Sequence, residues 1–339
     1  DVVRSRGLGD VYKRQEIDPL NPNSTPKKHT ALGRFKHENA ELVISKDGKI
    51  IVYMGDDERG EYLYKYVSNE SMNEVKDKST LLSNGNLYVA KFNDNFTGEW
   101  LLLDTQTTGL SSKAEVCIFT RLAASKVGAT TMDRPEWIAS NPKKNEVCCC
   151  LTNNKNRGIK TNKGGDKVDV DKVNPRKNNK YGQIVRWKPR DNNHSSVYFE
   201  WDLFVVAGNP NVHDDNNRGS KNIDKENMFN SPDGLKFDKY GRLWIQTDGN
   251  YSNSGDFKGM GNNQMLIADT NTGKIKRFMV GPKECEVTGL TFAPDYKTVF
   301  VGIQHPGERL GSNFPDNGNN KPRSCIIAIQ KKDGSEVLT

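Results

Sequence analysis

Apolar residues in this chain come in short stretches that are separated by glycine, asparagine, aspartate and proline. Many stretches are rich in β-branched and aromatic residues, which is typical of strands bounded by turns. They predict strands at 49–54, 62–67, 183–187, 242–245 and 298–303. More highly charged, outer strands are predicted at 61–67, 183–188 and 264–278.

Turn sequences connect several of these stretches. Asp47-Gly48, Asn84-Gly85, Tyr240-Gly241 and Asn271-Thr272-Gly273 each lie between two apolar stretches and predict hairpin connections. Helical periodicity is weak and is confined to 70–78 and 111–124, where short helices are expected. The pattern therefore predicts an all-β protein.

A short module recurs along the chain. In each copy a carboxylate opens a short strand, a polar turn follows, an apolar strand returns, and a polar cluster ends the module. The opening carboxylates are Glu38, Glu136, Asp233 and Glu286, spaced by 98, 97 and 53 residues. These spacings approximate two, two and one units of about 50 residues, the size of a four-stranded propeller blade. We predict a six-bladed β-propeller that is incomplete at its N-terminus.

Composition narrows the class of protein. The chain has 339 residues, and its net charge is only +7. Apolar runs fall far short of the ~20 residues of a membrane-spanning helix, so no membrane span is predicted. The densest basic stretch, 155–190, lacks interleaved aromatic residues, so we interpret it as a solvated loop and expect no nucleic-acid partner.

The cysteines do not indicate a structural framework. None of the six forms a CxxC pair, which argues against zinc-ribbon and disulfide-built folds. We interpret the consecutive residues Cys148, Cys149 and Cys150 as small hydrophobic residues of a buried strand.

The N-terminal segment has a different character. Residues 1–15, DVVRSRGLGDVYKRQ, have neither the apolar core nor the cleavage site of a signal peptide. They resemble a translated adapter scar. We expect 1–15 to be foreign and 16–339 to be a fragment of a propeller domain.

The repeated carboxylates suggest a metal site. Innermost propeller strands line a channel, so Glu38, Glu136, Asp233 and Glu286 are expected to face one another at its mouth. Two such charges 4 Å apart repel by about 4 kcal/mol at an effective dielectric constant of 20, which a multivalent cation would offset. Oxygen ligands favour hard ions such as Ca²⁺ or Fe³⁺. Further ligands are available at the ends of the returning strands: Asp56, Asp57, Asn153, Asn154, Asp248 and His305.

Each of these residues also has a purely structural interpretation. An acid that opens a strand can cap a turn by accepting backbone N–H bonds. Arg134, two residues before Glu136, should project from the same side of its strand, where it could grip a phosphate or form a salt bridge with a neighbouring carboxylate. His305 could donate to a leaving oxygen or bind a neighbouring carbonyl.

A set of motifs, in order, resembles the PhoX-type alkaline phosphatases from about residue 32 to residue 308. The motifs are GRFKHE (33–38), YMGDD (53–57), YLYKYV (62–67), RPEW (134–137), LTNNKNR (151–157), NPRKNNKYGQI (174–184), SPDGLKFD (231–238), GRLWIQTDG (241–249), ECEVTG (284–289) and QHPGE (304–308).

The resemblance implies a six-bladed propeller whose channel holds iron and calcium. It also implies that the protein hydrolyses phosphate monoesters at alkaline pH. It implies a periplasmic or extracellular protein exported by the twin-arginine route. Glu38, Glu136, Asp233 and Glu286 are then metal ligands, and Arg134 binds phosphate. The family also uses a cysteine iron ligand upstream of the HE motif, whereas the first cysteine here is Cys117; we expect that ligand to have been lost with the N-terminal part.

Two other functions remain open from the residues alone. A calcium-dependent lactonase or phosphotriesterase propeller would also place acids around a channel, but around one calcium ion. A non-catalytic propeller would bind a protein partner at its rim without a tightly bound metal. For the preferred interpretation, phosphate monoesters are the only partners expected, and the protein is expected to be a monomer.

Overall fold

The computed structural model describes residues 13–337, and this part of the chain is mostly β, as predicted. Its strands are β1 (Arg14–Glu16), β2 (Lys27–His29), β3 (His37–Ile44), β4 (Lys49–Asp56), β5 (Leu63–Ser71), β6 (Gly85–Phe92), β7 (Thr97–Leu102), β8 (Pro135–Ser140), β9 (Val147–Leu151), β10 (Gln183–Pro189), β11 (Tyr198–Val206), β12 (Pro232–Phe237), β13 (Arg242–Thr247), β14 (Gln264–Asp269), β15 (Ile275–Val280), β16 (Glu286–Phe292), β17 (Thr298–Gln304) and β18 (Cys325–Gln330).

Helical structure is short. The α-helices are α1 (Thr105–Thr108), α2 (Lys113–Ile118) and α3 (Thr120–Lys126). Single 3-10 turns form at Thr30–Leu32, Lys78–Thr80, Arg190–Asn192, Asn216–Arg218 and Gly255–Phe257. None of the helices in residues 13–337 has the length and apolar character needed to cross a membrane.

The chain divides into two compact units. Among the described residues, unit 1 consists of 13–138, 155–178 and 187–202, and unit 2 of 139–154, 179–186 and 203–337. Strands β8, β10 and β11 each begin in one unit and end in the other.

Unit 1 contains an antiparallel meander in the order β3-β4-β5-β6-β7, followed by the first residues of β11. Asp47-Gly48 turns the chain between β3 and β4, as predicted, and sets Ile44 opposite Ile50. One face of β4 and β5 buries Val52, Met54 and Tyr64 against Val116 of α2 and Ala123 of α3. This burial fixes the register of β4, whose last residue precedes the candidate ligand Asp57.

Unit 2 contains the antiparallel sheets β12-β13-β14-β15 and β16-β17-β18. The predicted turns at 240–241 and 271–273 connect β12 to β13 and β14 to β15. A core of Trp244, Met265, Val287 and Val301 packs these sheets. The predicted strand stretch 264–278 is therefore a hairpin of two strands.

Two local predictions are wrong. Residues 70–78 do not form a helix, because β5 continues to Ser71 and only a 3-10 turn capped by Asp77 follows. Gly85 is not in a hairpin turn; it begins β6 after a longer loop. A Cβ at Gly85 would lie 2.4 Å from the Tyr66 ring, so this glycine serves a close approach. The prediction of a helix in 111–124 is confirmed as α2 and α3, interrupted at Phe119.

The basic stretch 155–190 is only in part a solvated loop. Arg157 is fully buried, and its Nε donates to Asp133 at 2.7 Å while Nη1 and Nη2 bind Thr131. Arg176 is also buried. Since a buried guanidinium needs partners, these bonds anchor the segment to the rest of unit 1. The burial of Cys148, Cys149 and Cys150 in β9 is as predicted.

Residues 1–12 of the segment expected to be foreign lie outside the described residues. Arg14–Glu16 forms β1, which pairs with β2. The foreign origin of 1–15 stays a prediction.

Candidate metal and phosphate site

A carboxylate cluster in unit 1 contains three predicted residues, Glu38, Asp57 and Glu136. One oxygen from each lies within 4.8 Å of those of the other two. Glu38 lies on β3, Asp57 follows β4, and Glu136 lies on β8, so residues far apart in sequence meet at one point. The predicted convergence of Glu38 with Glu136 is found in this unit.

Two contacts with the backbone of β8 bring β3, β4 and β8 together. The Asn39 side chain donates to the Ile138 carbonyl at 2.8 Å and accepts from the Ile138 N–H at 3.0 Å. It thereby replaces a missing strand partner two residues beyond Glu136. Gly55 lies so close to β8 that a Cβ would be 2.6 Å from the carbonyl oxygen of Pro135. Because this space is too small for any side chain, Gly55 lets β8 approach the end of β4.

Replacing Gly55 by alanine should move β8 away from β4. The backbone atoms of Pro135 and Glu136 must shift to admit the methyl group, and we expect a loss of about 1–3 kcal/mol in the free energy of unfolding. Urea unfolding measures this loss. In the control Gly164→Ala the nearest atom would lie 3.4 Å away, and stability should change little. Equal stability of Gly55→Ala and the wild type would contradict the role of this contact.

Arg134 lies directly beside the cluster. Its Nε and Nη2 bind the two oxygens of Asp57 at 2.8 and 3.1 Å, and Nη2 lies 3.2 Å from Glu136 Oε1. Arg134 thus projects to the side of Glu136, as predicted, although its backbone is left-handed with φ 56°. Such a conformation costs a non-glycine residue of order 1–3 kcal/mol and is concentrated at functional sites. These contacts are the salt bridges to neighbouring carboxylates that were one of the two interpretations of Arg134. Phosphate binding by Arg134 stays a prediction.

Asp56 was expected to be a further metal ligand, but its carboxylate binds Arg121 instead. Its oxygens accept from Nε and Nη2 of Arg121 at 2.7 and 2.6 Å and from the Lys36 N–H at 3.1 Å. The Asp57 N–H in turn donates to the Lys36 carbonyl at 3.0 Å. Asp56 therefore joins the chain segments that carry Glu38 and Asp57, and Arg121 holds it there. We place Asp56 outside the carboxylate cluster, as a residue that positions it.

Burial raises the pKa of two acids behind the cluster. Desolvation raises the pKa of Asp56 to about 6 although Arg121 opposes this effect. Glu61, which is 1% exposed, has a pKa raised to about 8 by burial and then by the charge of Asp56.

The raised pKa of Glu61 makes stability depend on pH. As the pH rises from about 4.5 to about 8, the unfolded chain ionises Glu61 while the folded chain keeps it protonated, so stability falls through this window. Glu61→Gln should remove this loss and exceed the wild type in stability by on the order of 1 kcal/mol or more at pH 9, with little difference at pH 4. Urea midpoints at both pH values measure the effect; a gap that does not widen with pH would contradict it.

The donor set of the cluster fits a hard cation. Desolvation and the charge of Asp57 raise the pKa of Glu38, which is the response of carboxylates that repel one another. The cations Arg14 and Arg134 oppose this rise in the pKa, and Trp137 donates a hydrogen bond to Glu38. Three carboxylates within 4.8 Å of one another supply the oxygen ligands that Ca²⁺ and Fe³⁺ prefer.

A second cluster lies in unit 2 and contains Asp248, Glu286 and His305, with ligand atoms within 4.8 Å of one another. Asp248 follows β13, Glu286 opens β16, and His305 follows β17. His305 Nε2 lies 3.6 Å from Glu286 Oε2. Burial and then the charge of Asp248 raise the pKa of Glu286 to about 7. This donor set also fits a cation with oxygen and imidazole ligands.

A buried amide holds this second cluster. Asn263 Oδ1 accepts from the Gly249 N–H at 2.6 Å and the Thr247 hydroxyl at 2.8 Å, so it binds both neighbours of Asp248. Its Nδ2 donates to the Cys285 carbonyl at 2.8 Å, next to Glu286. Asn263 thereby sets the two acids beside each other.

The other predicted ligands lie near the same strand ends of unit 2. Asp233 is buried at the start of β12, but it does not belong to the cluster of Asp248, Glu286 and His305. Asn153 donates to the Ser231 hydroxyl at 3.2 Å, and the Asp248 N–H donates to the Ser231 carbonyl at 3.1 Å. Asn154 is buried, and its backbone pairs with Asn179. Convergence of all four repeat carboxylates on one axis stays a prediction.

The repeat extends to the backbone. Arg134, Ser231 and Glu284 have left-handed φ values of 56°, 49° and 59°, and each stands two residues before a repeat carboxylate. Register shifts follow Pro232 on β12 and Thr288 on β16, and one follows His37 on β3. Such bulges change the direction of side chains at the ends of strands. The first repeat differs, because Lys36, which stands two residues before Glu38, does not have a left-handed backbone.

Sequence reasoning did not identify Asn39, Arg121 or Asn263. Each positions a cluster residue through contacts with residues that are distant in sequence. A single arginine or asparagine in a short motif does not indicate such a role. The signal that could have found Asn39 is its position directly after Glu38.

The comparisons with known proteins agree with the motifs. The family described as alkaline phosphatase PhoX matches residues 14–307. The solved structure of Pseudomonas fluorescens PhoX in complex with vanadate, a transition state analogue, is 55% identical, with a TM-score of 0.89. The match covers 95% of this chain and 58% of that one, so this chain spans little more than half the length of its relative.

Two other solved structures are distant. A luciferin-regenerating enzyme is 10% identical with a TM-score of 0.35, covering 95% of this chain and 85% of that one. A gluconolactonase from Xanthomonas campestris is 11% identical with a TM-score of 0.33, covering 83% and 60%. No curated protein matches the chain significantly. By its family match over residues 14–307, this chain belongs to the PhoX family of alkaline phosphatases.

Proposed function

We propose that this chain hydrolyses phosphate monoesters at a metal site. The observation that carries the proposal is the contact of Arg134 with Asp57 and Glu136 in a cluster of three carboxylates. It combines a cation site with a planar donor for phosphate oxygens. The relative from Pseudomonas fluorescens was solved with vanadate, a transition state analogue, which supports a phosphoryl group as the reacting group.

We propose a six-bladed propeller as the architecture. The four-stranded meander β12-β15 has the strand order of one blade, and the hairpins β3-β4 and β16-β17 begin two more. In this architecture the acids that open β12 and β16, Asp233 and Glu286, would lie at the channel mouth.

Glu38, Asp57 and Glu136 would hold a metal ion in unit 1, and Asp248 and Glu286 would hold a metal ion in unit 2. Their oxygens favour Ca²⁺ and Fe³⁺. Such ions, when bound, neutralise charge on the phosphoryl oxygens as Lewis acids.

Arg134 would bind the substrate phosphate. Its side chain is 23% exposed, so it is reachable from solvent while Asp57 and Glu136 orient it. The guanidinium offers donors in a fixed fork, and bidentate binding places the phosphorus atom for attack. His305, whose Nε2 lies 3.6 Å from Glu286 Oε2, would donate a proton to the leaving oxygen.

We place this activity outside the cytoplasm, after twin-arginine export, with the protein as a monomer. The family match supports the location.

The experiment measures p-nitrophenyl phosphate hydrolysis and metal content together. We expect bound calcium and iron, loss of hydrolysis with a chelator, and recovery when both ions return. Bis-p-nitrophenyl phosphate and a δ-lactone test the phosphotriesterase-type and lactonase alternatives. Hydrolysis of the lactone but not the monoester, or the absence of bound metal, would overturn the proposal.

A further inference from the structure

A cavity of about 410 Å³ lies in unit 1, apart from the carboxylate cluster. Helices α2 and α3, the loop 162–166 and the segment before β3 line it. Its volume is in the range of small-molecule sites, about 300–1,000 Å³. The function proposed above leaves this cavity unused.

The wall of the cavity contains a buried carboxyl group without a hydrogen-bond donor. Glu61 is 1% exposed, and its Oε2 accepts no hydrogen bond from the described residues. The cation Arg121 comes within 3.5 Å of Oε2 through Nε, but this atom donates to Asp56 at 2.7 Å. Buried polar groups almost always have a hydrogen-bond partner, so a ligand in the cavity that donates to Glu61 Oε2 would be stabilised.

The charges around Glu61 favour a cationic donor. Besides burial, the negative charges of Asp56, Asp166 and Glu58 raise its pKa, and Arg121 only partly opposes them. A positive group beside Glu61 would lower this pKa again, so that Glu61 ionises as the ligand binds.

Asp166, the other acidic residue that lines the cavity, already has hydrogen-bond donors. Asp166 accepts hydrogen bonds from Tyr62, Ser125 and Asn162. The requirement for a donor therefore falls on Glu61.

Another part of the cavity lining is apolar. Ile118, Phe119 and Leu122 are large apolar residues that are 43%, 49% and 49% exposed, and all three line the cavity. An aromatic ring near a carboxylate suits a ligand with an apolar group and a cationic nitrogen.

We propose that this cavity binds a small organic ammonium ion. Its N–H donates to Glu61 Oε2, and its apolar group packs on Phe119 and Leu122. The proposal does not depend on the phosphatase activity.

Isothermal titration calorimetry with three matched probes tests the chemistry of the ligand. The probes are 2-phenylethylammonium, neutral 2-phenylethanol and anionic 3-phenylpropanoate, each titrated into the whole chain at pH 7. We expect the ammonium probe to bind at least tenfold more tightly than the other two. Failure of the ammonium probe to bind, or equal binding of the anion, would overturn the proposal.

Variants test the location of the site. Glu61→Gln keeps the shape of the side chain but cannot ionise when an ammonium ion binds, while Leu122→Trp fills the cavity from its half-exposed wall. Both should weaken ammonium binding at least tenfold. Leu20→Trp, at a leucine that is 92% exposed and outside the cavity, should leave binding unchanged.

Thermal unfolding checks that each variant is folded. Unchanged binding in Glu61→Gln would overturn the proposal. A loss in Glu61→Gln without a loss in Leu122→Trp would place the ammonium outside the cavity and would also overturn it.

Discussion

Replacing Glu136 by glutamine should abolish metal binding at the unit 1 cluster and reduce monoester hydrolysis by about 1,000-fold, the scale of lost transition-state charge stabilisation. Glu136 is buried, and its carboxylate is the deepest of the three. A neutral amide keeps its shape but removes a charge that Glu38 and Asp57 cannot replace. Arg134 would also lose a partner at 3.2 Å.

Metal content by elemental analysis and kcat for p-nitrophenyl phosphate measure this change. Glu70→Gln is the matched control, because Glu70 is exposed on β5 and outside the cluster. It should retain metal and activity. Full metal occupancy in Glu136→Gln would contradict the ligand role of Glu136.

Replacing Arg134 by alanine should lower kcat/KM for phosphate monoesters by about 100- to 1,000-fold while metal content stays unchanged. The guanidinium is the donor fork beside the cluster, and its removal leaves the carboxylates in place. Arg134→Lys should recover only a small part of the activity, because an ammonium cannot bind two oxygens in parallel.

Steady-state kinetics with and without added inorganic phosphate measure this loss, and phosphate inhibition should weaken in parallel. Arg190→Ala is the control, since Arg190 is exposed and lies over the Tyr198 ring. Unchanged kinetics in Arg134→Ala would remove Arg134 from the site. A loss of metal in this variant would assign it a structural role.

The repeat carboxylates were predictable because the module that carries them is local. Glu38, Glu136 and Glu286 open their strands or lie within their first residues, and polar residues end the returning strands as expected. Strand alternation and turn sequences act over a few residues, so they are readable in the chain. Asp56 and Asp57 show the limit of this reasoning. They are adjacent and chemically alike, yet one binds Arg121 and the other faces Arg134.

The loop 155–190 shows the same limit from the opposite direction. Its charges indicate solvent exposure, but Asp133 provides a buried partner for Arg157. The charged residues can be read from the sequence, but which of them form buried ion pairs depends on tertiary contacts.

Periodicity and turns between near neighbours specify the β class, the repeated module and the acids that open its strands, so these features were readable in the chain. Which acids share a cluster, and which residues hold them there, follows instead from the tertiary fold. The bond of Asn39 to Ile138, the close approach of Gly55 to β8 and the amide of Asn263 all depend on contacts between strands distant in sequence. Such contacts arise from the packing of strands, which no local pattern specifies.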